Sequence, residues 1–174
     1  MGRSAKGANM DKLSWIKELV LAEQQMEESG MVDMSAGFDT LNMLEEETIE
    51  FLQDLKTSFV ESAAAFNQLK GSTLGNVKIY GISKTRADFM LFRNGFKLIF
   101  SMTQPGQIKI YDSQMTNSFV PGQNAAEETT GRLDLLIAKW GPFGELQWTY
   151  QDQPINLDYL VRFYTSRFIR ESAK

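Results

Sequence analysis

The side chains able to do chemistry in this chain are carboxylates, lysines, tyrosines and hydroxyls, because it contains neither histidine nor cysteine. Histidine is the only side chain whose unperturbed pKa lies near neutrality, and it is the commonest metal ligand. Without cysteine there is no thiolate nucleophile, no disulfide framework and no zinc-thiolate site. Ser-His-Asp, Cys-His and His-metal sites, as well as His-based phosphoryl transfer, are therefore excluded.

Carboxylates near predicted strands are the remaining candidates for catalysis, since a pair of them can perform acid-base chemistry. Their spacing brings no two of them together, and acidic residues are common at strand ends. A carboxylate-based enzyme is therefore the weakest functional hypothesis, and we assign no catalytic residue, no metal ligand and no cofactor. The four carboxylates considered are Asp88, Asp112, Asp134 and Glu145.

An acidic cluster occupies a predicted helix from Glu45 to Asp54. Carboxylate clusters can bind divalent cations, but these residues spread around the helix and no Asp-x-Asp-x-Asp-Gly loop accompanies them. The cluster is therefore read as a solvated surface or as a patch for a basic partner. Glu46 and Glu50 are its candidate contacts.

Two helices are predicted in residues 11–72, after a leader at 1–10 that reads as flexible or as a remnant of an expression vector. Apolar residues at helical spacing indicate a first helix over 11–28 and a longer second one over 38–70. A continuous second helix would span roughly 50 Å at about 1.5 Å per residue, which is longer than a compact domain needs. Either it breaks, or one end projects and buries its apolar stripe against the first helix or another subunit.

Alternating apolar residues after residue 73 indicate strands, and the short loops between the first four favour an antiparallel meander. Asn94-Gly95 suits a type I′ turn that pairs Arg93 with Phe96. The fold class is therefore α+β, with residues 73–174 forming one domain together with the preceding helix. The predicted elements are strands at 76–82, 87–93, 96–102 and 107–112, a long polar connection at 113–131, a second hairpin at 132–139 and 145–150, and a C-terminal helix capped by Asn156.

One face of the meander mixes large apolar residues with lysines, although a solvated sheet face usually carries polar residues. The length of the turn at Pro105-Gly106 determines which residues of the strand at 107–112 lie on this face. We predict a three-residue loop there, because it places Ile108 and Ile110 on the opposite, richly apolar face. The candidate partner-binding residues of the mixed face are then Met90, Phe92, Lys97, Ile99, Lys109 and Tyr111.

Something should cover this mixed face. A helix of the same chain is one answer, and the last helix is the natural choice because layered packing is the general solution. A protein partner or an apolar ligand is the other. Trp140 and Phe143, at the tip of the second hairpin, are further candidate docking anchors, or they fold back over the sheet edge.

Charge and hydropathy narrow the class of partner. The net charge of -4 gives no general attraction to phosphate backbones, and no stretch is apolar enough to span a membrane. We therefore expect a cytoplasmic protein that binds no nucleic acid. Residues 1–72 carry 6 Lys/Arg against 13 Asp/Glu, a net -7, whereas residues 73–174 carry 12 against 9, a net +3.

The leading hypothesis is a non-catalytic interaction protein of the adaptor, chaperone-like or regulatory kind, acting through the acidic long helix and the mixed face. A homodimer is one form it could take. The alternative is a carrier or sensor of a small apolar ligand held between the sheet and the helices.

Overall fold

A computed structural model describes residues 3–115 and 127–173, and it divides the chain into two compact units, Met1–Met43 and Leu44–Lys174. The helices are α1 Arg3–Ser29, α2 Thr40–Lys70 and α3 Leu157–Glu171. The strands are β1 Lys78–Gly81, β2 Phe89–Arg93, β3 Phe96–Gln104, β4 Gln107–Met115, β5 Glu127–Trp140, β6 Leu146–Tyr150 and β7 Gln153–Pro154. The α+β class is confirmed.

The first unit is built on α1, which begins at Arg3, so that Asp11 lies inside the helix and not at its start. The helix ends as predicted at Ser29-Gly30, where Gly30 takes a φ of +72°. The following segment returns toward the helix, and the backbone N–H of Gly37 donates to Glu18 at 3.2 Å.

All seven strands form one antiparallel sheet in sequence order from β1 to β7. The predicted antiparallel sheet of a four-strand meander plus a second hairpin is confirmed, and the pairing of β4 with β5 joins the two parts. The predicted connection at 113–131 was too long, because β4 continues to Met115 and β5 starts at Glu127. Residues 116–126 lie outside the described residues, and β7 was not predicted.

Two turns determine which face each side chain occupies. Asn94 and Gly95 have φ values of +51° and +82°, as a type I′ turn requires, and Arg93 pairs with Phe96 as predicted. The turn at Pro105-Gly106 has two residues, and the predicted three-residue loop is wrong. The register shifts instead between Met102 and Gln104, and this bulge moves the following side chains to the faces that were predicted.

The core lies on one face of the sheet, where both α2 and α3 pack. The second helix contributes the middle of its apolar stripe, whereas its end residue Leu69 is 88% exposed. The expectation that a projecting end of α2 packs against the first helix or another subunit stays a prediction. The buried core residues are Leu52, Leu55, Phe59 and Ala63 of α2, Phe89, Leu91, Leu98, Phe100, Ile108, Ile110, Leu136 and Trp148 of the sheet, and Leu160, Val161, Tyr164 and Phe168 of α3.

The N-terminus of α3 is capped as predicted, since the side chain of Asn156 accepts hydrogen bonds from the backbone N–H groups of Asp158 and Tyr159.

None of the helices in the described part of the chain has the length and apolar character that crossing a membrane requires.

Thr48 fixes α2 to the turn between β3 and β4. Its hydroxyl donates to the carbonyl of Leu44 at 2.6 Å and accepts from the backbone N–H of Gly106 at 2.8 Å, and its side chain is fully buried. We expect Thr48→Val to lower the free energy of unfolding by about 1–3 kcal/mol, because it leaves a buried N–H without a partner. Urea unfolding measures the loss. Thr48→Ser keeps the hydroxyl and should retain most of the stability, so equal losses in both variants would contradict this role.

Candidate functional site

The mixed face contains the six residues predicted from the sequence. Cross-strand pairs connect Phe92 with Lys97 and Ser101 with Lys109. A continuous apolar row crosses five strands, and each member is paired with the next: Tyr80, Met90, Ile99, Tyr111 and Leu133. The pairing of β4 with β5 also places Leu135 and Ile137 on this face.

The last helix does not cover the mixed face, because α3 packs with α2 on the opposite side of the sheet. That expectation was wrong for a simple reason: the other face carries the larger and more continuous set of apolar residues, and both helices bury their stripes there. In the described part of Leu44–Lys174, both helices, α2 and α3, therefore pack on the core face. Ile99 in the middle of the mixed face is buried, with 7% of its surface exposed, and the other five predicted residues are half-buried. Exposure rises toward the ends of the row, to 44% for Tyr80 and 54% for Leu133, and is 40% for Leu135 and 39% for Ile137.

Lysines border the apolar row. Lys78 and Lys97 pair across strands with Phe92 from either side, and Lys109 lies with its ammonium 4.6 Å from the centre of the Tyr111 ring. Asp88 is the carboxylate at the edge of this face, and it accepts hydrogen bonds from the Ser101 hydroxyl at 2.7 Å and from a backbone N–H at 3.0 Å. Hydrogen bonds within the sheet therefore stabilise the Asp88 carboxylate. The face is apolar in the middle and basic at its borders.

No family model matches this chain, and no similar curated protein or solved structure is found. What these surfaces can bind therefore has to follow from the residues on them.

The acidic cluster on α2 is partly neutralised within the chain. Arg86 forms ion pairs with Glu45 at 3.0 Å and Glu46 at 3.5 Å. Glu50 is exposed on the same helix and also makes an interaction of its own. Among the described residues, no three acidic, histidine or cysteine side chains come together as a metal site would need.

The tip of the β5–β6 hairpin presents Phe143, which is 95% exposed, while Trp140 is 42% exposed. Glu145 accepts a hydrogen bond from the backbone N–H of Phe143 at 2.9 Å, so this carboxylate stabilises the turn. The structure does not bring these two aromatic residues onto the mixed face next to the apolar row. They form a separate exposed feature.

A polar cluster that the sequence did not reveal lies under α3. Tyr164 donates to one carboxylate oxygen of Asp134 at 2.6 Å, and Tyr150 donates to the other at 3.2 Å. The guanidinium of Arg167 lies 3.5 Å from Asp112 and 3.9 Å from Asp134. These two carboxylates, which the spacing did not connect, therefore converge on one arginine from neighbouring strands.

Four members of this cluster, Asp134, Tyr150, Tyr164 and Arg167, line a pocket of about 460 Å³ between α3 and the sheet. Its apolar wall consists of Leu136, Ile155, Leu160 and Phe163. A pocket of this size is within the range that small-molecule sites occupy.

The electrostatics of the cluster keep the phenols of Tyr164 and Tyr150 protonated and do not favour proton transfer by them. Burial and the hydrogen bond to Asp134 raise the pKa of Tyr164, and the Asp134 charge raises the pKa of Tyr150. Both phenols therefore stay protonated at neutral pH and serve as hydrogen-bond donors. Both oxygens of Asp134 already accept a hydrogen bond from a phenol.

Sequence reasoning missed residues of both sites. Leu133, Leu135 and Ile137 alternate along β5, so the signal was present, but their face depends on the β4–β5 register across a connection whose length was overestimated. Tyr164 and Arg167 carried no signal for the pocket, because their partners are 30 and 55 positions away in the chain.

Asp112 should make stability depend on pH in a specific direction. Burial raises its pKa above the ordinary value of 3.8, so the folded state binds more protons than the unfolded state in the window between the two values. The free energy of unfolding contributed by this group therefore falls as pH rises through that window. In Asp112→Asn, we expect the free energy of unfolding to lose this decrease with rising pH. Urea unfolding at several acidic pH values measures it.

Asp152 is the matched control for this experiment. Lys139 lowers the pKa of Asp152, so its contribution is lost as pH falls, and Asp152→Asn should change the profile in the opposite direction. A pH profile that is the same in wild type and Asp112→Asn would contradict the assignment.

Proposed function

We propose that this chain is a non-catalytic interaction protein whose mixed sheet face binds an amphipathic, acidic helix of a protein partner. One observation carries the proposal: both helices of the second unit pack on one side of the sheet, and the other side keeps an apolar row with basic borders. In that row Ile99 is buried, and the other members are half-buried or exposed. A helix on this side would complete a three-layer arrangement of the kind that buries both faces of a sheet.

The chemistry of the face indicates the chemistry of the partner. The row from Tyr80 to Leu133 crosses four interstrand gaps, or roughly 19 Å at about 4.8 Å each, which is comparable to three or four helical turns. Lys78, Lys97 and Lys109 favour carboxylates on either side of the apolar stripe of such a helix. A basic helix with the same apolar residues would meet like charges.

Titration of the full chain with two synthetic amphipathic helices tests the proposal. The probes share one apolar stripe, and their flanking residues are glutamate in one and lysine in the other. We expect the acidic probe to bind at least about tenfold more tightly, and its affinity to fall as salt is added. Equal binding of the two probes, or binding of neither, would contradict the proposed partner chemistry.

A second candidate function is the carriage of a small apolar molecule in the pocket under α3. The pocket supports it, since an apolar wall faces a cluster of hydrogen-bonding groups at one end. A neutral fluorescent naphthylamine probe should gain emission on binding there. Leu160→Trp fills the pocket and should abolish the gain, whereas Leu135→Trp on the opposite face should leave it unchanged. A gain that survives Leu160→Trp would place the probe elsewhere.

A further inference from the structure

Within the first unit, the described part of α1 presents an apolar surface that stays largely exposed, although Gly37 lies close to Leu19 and donates to Glu18. From residue 13 to residue 29, every side chain is exposed except Ala22, which is half-buried. A helix in a globular protein normally buries one stripe, and an uncovered stripe of this size marks an interaction surface. The exposed apolar residues are Leu13, Trp15, Ile16, Leu19, Val20, Leu21 and Met26.

The apolar positions follow the spacing of a helix that packs along a partner. Trp15, Leu19, Ala22 and Met26 recur at intervals of four, three and four residues, which places them on one stripe. This stripe runs from residue 15 to residue 26, which is eleven steps along the helix, or about 17 Å at roughly 1.5 Å per residue. It is comparable in length to the apolar row on the mixed face.

The charges of α1 also match what the mixed face requires. Residues 13–29 contain one lysine, Lys17, against four glutamates, a net charge of -3. Glu18, Glu23 and Glu27 lie beside the apolar residues of the helix. The chain therefore carries an acidic amphipathic helix in one unit and a basic-bordered apolar face in the other.

We propose that α1 of one copy binds the mixed face of a second copy, and that the two copies exchange these helices reciprocally in a homodimer. A reciprocal exchange satisfies both exposed surfaces of each chain and closes with two-fold symmetry. This inference rests on the proposed function, because it names a second copy as the partner of the same face. An acidic probe then competes with α1 for the face, and at saturating concentration it displaces α1.

Zero-length carbodiimide coupling of the full chain tests the exchange, because it joins lysines to carboxylates only where they form contacts. Unlabelled and heavy-isotope-labelled protein are mixed in equal amounts at micromolar concentration, coupled, digested and analysed by mass spectrometry. We expect mixed-isotope links between Glu18, Glu23 or Glu27 and Lys78, Lys97 or Lys109. Light scattering should give the mass of two chains.

Matched variants make the test specific. Trp15→Lys introduces a positive charge into the stripe and should raise the dimer dissociation constant at least tenfold, so that both the links and the fraction of dimer decrease. Gln24→Ala changes a polar position on the other side of α1 and should leave both unchanged. Links between α1 and the face that join only chains of the same isotope would overturn the exchange, as would a dimer linked through α1 to α1.

The outcomes separate this inference from the proposed function. A monomer whose mixed face still binds the acidic probe overturns the exchange and leaves the proposed function standing. A monomer that binds neither probe overturns both. A dimer with mixed-isotope links that Trp15→Lys abolishes supports both.

Discussion

Replacing Arg93 by alanine should lower the free energy of unfolding by about 3 kcal/mol, a large share of the stability of a small domain. The guanidinium of Arg93 is almost fully buried at the end of β2 and donates to the carbonyls of Gly75 at 2.8 Å and Ile169 at 3.0 Å. It also lies 5.2 Å from the centre of the Phe66 ring. The variant leaves these carbonyls without their donor and removes the stacking contact.

The position of Arg93 also explains why the loss should be large. Ile169 lies in the last turn of α3, where the helix dipole favours a positive charge. The neighbouring Asn94 donates from its side chain to the carbonyl of Ser172 at 2.8 Å. The turn between β2 and β3 therefore holds the C-terminus of α3 on the sheet, and Arg93→Ala releases one of its two attachments.

Urea unfolding with tryptophan fluorescence measures this loss. Arg93→Lys keeps the charge but cannot donate to both carbonyls in the same geometry, so it should lose an intermediate amount. Arg162→Ala removes an exposed arginine of α3 and should change stability by no more than about 0.5 kcal/mol. A loss below about 1 kcal/mol in Arg93→Ala would show that the turn does not hold the helix.

The second large effect concerns binding at the mixed face. Leu135 is 40% exposed and lies opposite Lys109 in the register of β4 and β5. Leu135→Glu removes apolar contact and places a carboxylate where an acidic helix would lie, so binding of the acidic probe should weaken at least tenfold, or about 1.4 kcal/mol. Fluorescence anisotropy of the labelled probe measures the change.

Stability should hardly change in the same variant, because Leu135 is already partly exposed and Lys109 can pair with the new carboxylate. Leu69→Glu makes the same chemical change at an exposed position at the end of α2 and should bind the acidic probe as wild type does. If both variants bind alike, the probe does not use the mixed face.

The sequence predicted the fold well where a local rule determined the structure. Asn94-Gly95 specified its turn, Asn156 specified the start of α3, and the change from helical to alternating periodicity after residue 73 separated the layers. The predicted length of the loop at Pro105-Gly106 was wrong, but the predicted faces of the β4 side chains were right. The hydrophobic pattern determines those faces, and a bulge in β3 produces them with a two-residue loop. The shared face of Ile108 and Ile110 followed from burial, which is the stronger constraint.

The sites were harder to predict because they depend on contacts between distant residues. Both faces of the sheet carry apolar residues, and α3 packs on the face where it buries more apolar surface. The sequence shows that both faces are apolar, but it does not show which of them buries more. The convergence of Asp112 and Asp134 on Arg167 needs the β4–β5 register together with the position of α3. Neither is encoded in local spacing, whereas the six residues of the mixed face follow from strand alternation together with the apolar pattern of β4.

A titration of the full chain, labelled at its methyl groups, with the acidic probe tests the central claim most directly. Nuclear magnetic resonance then reports which methyl groups change their environment. We predict that the signals of Met90, Ile99, Leu133, Leu135 and Ile137 shift, whereas those of Leu136 and Leu160 in the core and pocket stay in place. Shifts confined to the pocket side of the sheet, or none at saturating probe, would contradict the account.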